Sequence, residues 1–249
     1  MLGHNLAPVR IPAGLALWCR RRFSTSLTDS KLTEGTAYTD PRHGRLFGTG
    51  LSRTGTRSLH VALRRLGLSS VHYPYDALTE RELFEGEPSL SILERHQAMV
   101  DLPAAGFFRD LDRRYPDSCF IHTVRDRNQW LEAVERHYRS LADNWSSLSQ
   151  RFREFSERIT QHVYGAFPFD RATFAEAYDR HEGSVASHFV GRPMDLLVLD
   201  VADASASAEL AGFLGRQPAS NGDFPHVTDA DEIPDSALQR THLKAELRE

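Results

Sequence analysis

The stretch Arg45–Leu66, RLFGTGLSRTGTRSLHVALRRL, constrains this chain more than any other. A short apolar run (Leu46, Phe47) enters Gly48, Gly50 and Gly55. Four hydroxyl residues (Ser52, Thr54, Thr56, Ser58) share the turn, and Leu59, Leu63 and Leu66 then recur at i, i+4 and i+7. That order predicts a strand, a glycine–hydroxyl turn and a helix over Thr56–Leu66. The first N–H groups of a helix have no intrahelical partner and the helix dipole adds positive charge there, so such a junction is an anion site. Arg53 and Arg57 add two full charges. A strand feeding a helix in this way points to an α/β architecture and leaves open which anion is held.

The rest of the chain repeats the alternation. Short apolar runs predict strands at Arg45–Gly50, Ser70–Tyr73, Ala98–Asp101, Cys119–Val124 and Leu196–Val201. Between and after them, helical patterns predict Thr79–Phe84, Ser89–Arg95, Ala105–Arg114, Asn128–Ala142, Ser146–Gln161, Arg171–Phe189 and Ala206–Leu214. Strands alternating with helices predict a three-layer fold, a central parallel sheet flanked by helices. Residues 143–182 lack strand signals and read as a helical insertion. Residues 1–28 carry Arg10, Arg20, Arg21 and Arg22 without an acid. That segment resembles an organelle transit peptide or a disordered extension, so residues 1–43 are set outside the fold and 44–249 are read as one domain.

Composition narrows the function classes. At 249 residues the chain has room for one sizeable core. Its formal net charge of −4 lacks the basic surplus of a general nucleic-acid binder. Of two cysteines, Cys119 lies in an apolar run and reads as a buried thiol. No disulfide framework follows, which leads to the expectation of a reducing, cytoplasmic setting. No apolar stretch approaches the length of a membrane span, and no His/Cys/Asp cluster has metal-ligand spacing.

Gly50-x4-Gly55 has the spacing of a Walker A loop, but Thr56 and Arg57 stand before Ser58 where that motif needs Lys followed by Ser or Thr. Leu196–Asp200 (LLVLD) is a weak Walker-B-like run. A kinase or triphosphatase reading therefore rests on the glycine spacing and that weak run. LSRTGTRSL instead resembles the 5′-phosphosulfate loop of sulfotransferases that use 3′-phosphoadenosine 5′-phosphosulfate, in the branch with a G-L-x-R-T-G-T-x-S-L loop. VDLPAAGFFRDLDRRYPDSCFIHTVRD (100–126), HVYGAFPFD, AYDRHEGSV, LLVLD, FLGR and FPHV follow in that family's order.

The resemblance implies a P-loop-like fold and no metal. It places Arg53 at the leaving phosphate oxygen, with Ser52, Thr54, Gly55, Thr56, Arg57 and Ser58 around the phosphosulfate and Arg125 on the 3′-phosphate. Asp101 stands where cytosolic relatives carry the base that removes the acceptor proton, and His72 is the rival base, since histidine's ordinary pKa suits that task near neutrality. Three departures accompany the match. Arg57 stands where the family more often has Thr, Ala133 where it has a serine eight positions after the arginine, and 201–207 (VADASAS) where it often has a glycine-rich segment. The resulting expectation is sulfuryl transfer to a hydroxyl or amine of a small-molecule acceptor. The alternative is a non-catalytic member of the fold that binds a nucleotide or a partner.

Overall fold

The computed structural model describes residues 44–218 and 223–227. The basic stretch 1–43 and the chain beyond 227 lie outside the described residues. Five parallel strands make one sheet: β1 Leu46–Gly48, β2 Ser70–His72, β3 Ala98–Val100, β4 Cys119–Val124 and β5 Leu196–Asp200. Their order is β2-β3-β1-β4-β5. Both faces are covered, which is why the strands read as nearly continuous apolar runs. Along β1, Leu46 enters one core cluster and Phe47 the other, and Ala98/Met99 and Cys119/Phe120 alternate in the same way.

Eight α-helices are described around the sheet: α1 Thr56–Arg65, α2 Ala77–Phe84, α3 Ile92–Arg95, α4 Leu102–Arg114, α5 Arg127–Asp143, α6 Gln150–Tyr164, α7 Arg171–His188 and α8 Ala206–Phe213. Leu59 and Leu63 of α1 pack with Leu210 and Phe213 of α8 on one face. Helices α2 to α7 cover the other face, where Trp130, Phe155, Ile159, Tyr164 and Phe174 join Phe47 and Phe120 in one core. The stretch 143–182 thus contributes α6 and the start of α7 to the main core. Glu80 on α2 ties it down further by pairing with both Arg151 and Arg158 of α6.

Several boundaries differ from the sequence expectation for identifiable reasons. The strands stop short at Asp101 and Tyr73 because both residues adopt left-handed backbone, φ 81° and 48°. Helix α6 starts at Gln150, because the Ser149 side chain accepts the Phe152 N–H at 3.2 Å and caps it. It ends at Gly165, φ 87°, a left-handed position suited to glycine. The Ser89–Arg95 expectation shrinks to the short α3. Cys119 is fully buried, as its place in an apolar run implies.

The strand order positions the site. From β1 the chain crosses to β2, returns through β3, and then crosses to β4 on the far side of β1. Ligands of open α/β sheets gather at such a reversal, outside the carboxyl ends of the strands. Four strand ends converge there: the loop after β1, His72 on β2, Asp101 after β3 and Arg125 after β4.

Candidate active site

The loop after β1 packs directly against the end of β4. A Cβ added at Gly50 would lie 1.9 Å from the Thr123 hydroxyl, so only glycine fits that approach. Thr54 turns its hydroxyl inward, to the Leu51 carbonyl and to Thr123 Oγ1, each at 2.7 Å. Gly55 at φ 102° is the N-cap of α1 and brings no side chain to cap it. A helix start without a side-chain cap points its first-turn N–H groups and the positive end of its dipole at the loop, as an anion cradle does. Ser58 stands in that first turn, and its hydroxyl accepts the Val227 N–H at 3.2 Å.

Asp101 is the most heavily bonded side chain of the site. It is buried at 4 % exposure. One carboxylate oxygen accepts from Ser52 Oγ and from the Leu102 N–H at 2.7 Å. The other accepts from Thr56 Oγ1 at 2.7 Å and from His72 Nε2 at 2.8 Å. Burial pushes this carboxyl upward, but the hydrogen bonds from His72, Ser52 and Thr56 and the His72 charge outweigh it and hold Asp101 well below the usual carboxylate range. An anionic acceptor with four donors already in place is a poor proton acceptor. It is a good anchor for an imidazole, because a carboxylate facing Nε2 keeps the proton on that nitrogen and leaves Nδ1 as the basic one.

The two candidate bases thus form one pair with divided capacities, and two loop hydroxyls join them. Thr56 Oγ1 lies 3.2 Å from His72 Nε2 as well as bonding Asp101.

Arg53 sits at φ 73°, a left-handed conformation that is uncommon outside glycine. Its carbonyl accepts Arg125 Nη1 at 3.2 Å. The carbonyl before it, on Ser52, accepts Trp130 Nε1 at 2.9 Å. Arg53, Tyr73 and Asp101 are three of the four described non-glycine residues with positive φ. Backbone strain is thus concentrated at this sheet edge, as it often is at functional sites.

The sequence-derived set is therefore brought together at one edge: Ser52, Arg53, Thr54, Gly55, Thr56 and Ser58 in the loop, with His72, Asp101 and Arg125 beside it. Arg57, half-buried, lies near enough to His60 and His137 that its charge adds to the burial lowering both imidazoles, His60 to about 3 and His137 to about 4. Ala133 is buried on the inner side of α5 at 3 % exposure.

Two neighbours were not expected in the site. His137 on α5 is held neutral first by burial and then by the charges of Arg53 and Arg57. A polar network lies under the loop: His181 Nε2 bonds the Thr49 carbonyl at 2.8 Å, His122 Nδ1 meets Thr49 Oγ1 at 3.2 Å, and His122 Nε2 meets Glu182 at 2.9 Å. His122 lies in the segment 100–126 and His181 and Glu182 in AYDRHEGSV, the stretches that carry the family resemblance.

Among the described residues no group of three or more His, Cys, Asp or Glu side chains is placed to hold a metal ion. No described helix is long and apolar enough to cross a membrane. A family model described as "Sulfotransferase domain" matches residues 45–233. A protein of Aspergillus versicolor named "Ava biosynthesis cluster protein M" is 28% identical over 212 residues, which span 73% of this chain and 80% of that protein.

Proposed function

The chain belongs to the sulfotransferase domain family, and from that premise we propose that it moves a sulfuryl group from 3′-phosphoadenosine 5′-phosphosulfate to a hydroxyl or amine of a small-molecule acceptor. The observation that carries the reading is the junction of an uncapped helix start, Arg53 and the His72–Asp101 pair at one sheet edge. That junction combines an anion cradle with a proton acceptor, which is what in-line transfer between two oxygens, or from oxygen to nitrogen, requires.

The donor set fits a ligand with anions at both ends. First-turn N–H groups of α1, together with Arg53, would hold the phosphosulfate. Arg125 would hold the 3′-phosphate through its remaining guanidinium N–H groups. The donor supplies the sulfuryl group and a phosphate leaving group. In the step itself a new bond forms between the acceptor heteroatom and sulfur while the bond from sulfur to the phosphate oxygen breaks. His72 Nδ1 takes the acceptor proton, and Asp101 holds the imidazolium that results. Arg53 faces the charge that develops on the leaving oxygen, where a preorganised cation in a water-poor site is most effective. The biosynthesis-cluster name of the Aspergillus relative supports a small-molecule acceptor.

The test is release of 3′-phosphoadenosine 5′-phosphate in the presence of a panel of phenols, alcohols and amines. The expected result is acceptor-dependent release that Arg53→Ala lowers by about 10²–10³-fold, as loss of one transition-state donor does. Tight nucleotide binding with no release for any acceptor would favour the non-catalytic reading. Phosphate transfer from Mg-ATP would favour a kinase.

A further inference from the structure

The left-handed backbone of Arg53 raises a question the cradle does not answer: what holds it there. The φ and ψ angles of a residue are the rotations between the peptide planes before and after it. In this protein both planes are anchored through their carbonyls. The plane before Arg53 is held by Trp130 Nε1 on the Ser52 oxygen at 2.9 Å, and the plane after it by Arg125 Nη1 on the Arg53 oxygen at 3.2 Å. Arg125 is itself fixed at its own carbonyl, which accepts the Tyr178 hydroxyl at 2.6 Å.

Trp130 and Tyr178 pack as a pair, with ring centroids 4.9 Å apart. Trp130 is fully buried and Tyr178 is 8 % exposed. They come from α5 and α7, which a two-pronged Arg127–Asp179 ion pair joins at 2.8 and 2.9 Å. Large buried aromatics with polar tips usually need some partner for the tip. Here the two tips divide between the two arms of the site. One goes to the carbonyl on the N-terminal side of the strained residue, and the other to the segment that bears the second arginine.

We propose that Trp130 and Tyr178 are positioning residues for this site: the aromatic pair, through one indole N–H and one phenol O–H, holds Arg53 and Arg125 in the orientation that receives the anionic ligand. The ring pair sits on helices α5 and α7, outside the loop. The Arg53 conformation is therefore held from the helical layer in addition to the turn's own bonds from Thr54 to the Leu51 carbonyl. The clamp itself stands on geometry alone, and only its effect on turnover rests on the sulfotransfer reading.

The experiment compares Trp130→Phe and Tyr178→Phe with Val134→Ala. The first two keep a ring and lose a donor. Val134 is a buried residue of α5 in the same core cluster, at 1 % exposure. Amide hydrogen exchange across residues 50–58 is measured on the ligand-free full chain, alongside the denaturation midpoint.

The expected result is exchange about 5-fold or more faster in both Phe variants than in Val134→Ala, after correction for global stability. With the donor and a working acceptor, kcat falls by about 3- to 10-fold per variant, and the double variant falls by less than the product of the two. Loop exchange and kcat in both Phe variants indistinguishable from Val134→Ala would overturn the proposal. Should Trp130→Phe not fold, Tyr178→Phe carries the same comparison. A wild type that turns over no donor speaks against the sulfotransfer reading only, since loop exchange decides the clamp without it.

Discussion

Replacing Asp101 with Asn probes the centre of the site. The carboxylate takes four donors on two oxygens: Ser52 Oγ and the Leu102 N–H on one, Thr56 Oγ1 and His72 Nε2 on the other. An amide has one oxygen to offer. If it faces Ser52 and Leu102, its NH2 faces Thr56 and His72. The threonine hydroxyl can rotate and accept. His72 can accept only by moving its proton from Nε2 to Nδ1, which removes the basic nitrogen assigned to the acceptor. If the amide is flipped, Ser52 and Leu102 lose the acceptor that joins the loop to the start of α4. The first arrangement keeps the cap and is the favoured one. Turnover should fall by about 10²–10⁴-fold through the wrong tautomer, while affinity for 3′-phosphoadenosine 5′-phosphate stays within about 3-fold of wild type, since no bond to an anion donor is broken.

Stability should drop by about 1–3 kcal/mol, the range for weakening charged hydrogen bonds to a buried group. The pH dependence has a definite sign. The Asp101 pKa is depressed in the folded protein, so its contribution is fully present above the ordinary carboxylate value and is lost as pH falls toward the folded value. The stability gap between wild type and Asp101→Asn should therefore narrow progressively below about pH 4. Steady-state turnover, calorimetric binding and denaturant titration on the same preparation give all three quantities. Wild-type turnover with an unchanged pH profile would refute the pairing of Asp101 with His72.

Other perturbations test other parts. His60, His137 and His181 have folded values lowered to about 3, 4 and 4, in each case chiefly by burial. The unfolded chain therefore binds more protons than the folded one between about pH 6.5 and 4. Stability should fall on acidification through that window, with proton uptake on unfolding. A flat denaturation midpoint from pH 7 to 4.5 would contradict the burial of these imidazoles. Gly55→Ala adds a Cβ that would lie 2.4 Å from Val201 at a residue with φ 102°, and should cost about 2–4 kcal/mol in denaturant titrations as well as weaken anion binding. Glu80→Gln removes the shared partner of Arg151 and Arg158 and should destabilise by about 1–3 kcal/mol, with exchange rising first in α6.

Much of the fold is legible because a sheet covered on both faces imposes long apolar runs. Cys119–Val124 is legible to the residue, since its burial runs unbroken from Cys119 through His122 and Thr123. The strand ends at Tyr73 and Asp101 read one residue too long, because a left-handed residue leaves no trace in hydrophobic periodicity. The site residues are legible where local order decides them: Arg53 and Thr56 belong to a contiguous motif, and His72, Asp101 and Arg125 stand at strand ends. Their relations are not. That Asp101 would spend both oxygens on Ser52, Thr56 and His72 depends on pairings 29 to 49 positions apart. Trp130 reads as core, and it is fully buried, yet its indole N–H reaches a loop carbonyl 78 residues away. His137 gives no signal, since the reach of the Arg53 and Arg57 charges to it depends on where α5 packs in the fold.

The most direct test of the central claim is a calorimetric comparison of 3′-phosphoadenosine 5′-phosphate with 5′-AMP on wild type and Arg125→Ala. The two nucleotides differ by one phosphate, and Arg125 is the residue assigned to it. Wild type should bind the bisphosphate about 10²-fold more tightly, the scale of a charge-assisted contact to phosphate, and Arg125→Ala should bind both about equally. Equal affinities on wild type, or a preference that survives in Arg125→Ala, would contradict the assignment of this site to a 3′-phosphorylated sulfuryl donor.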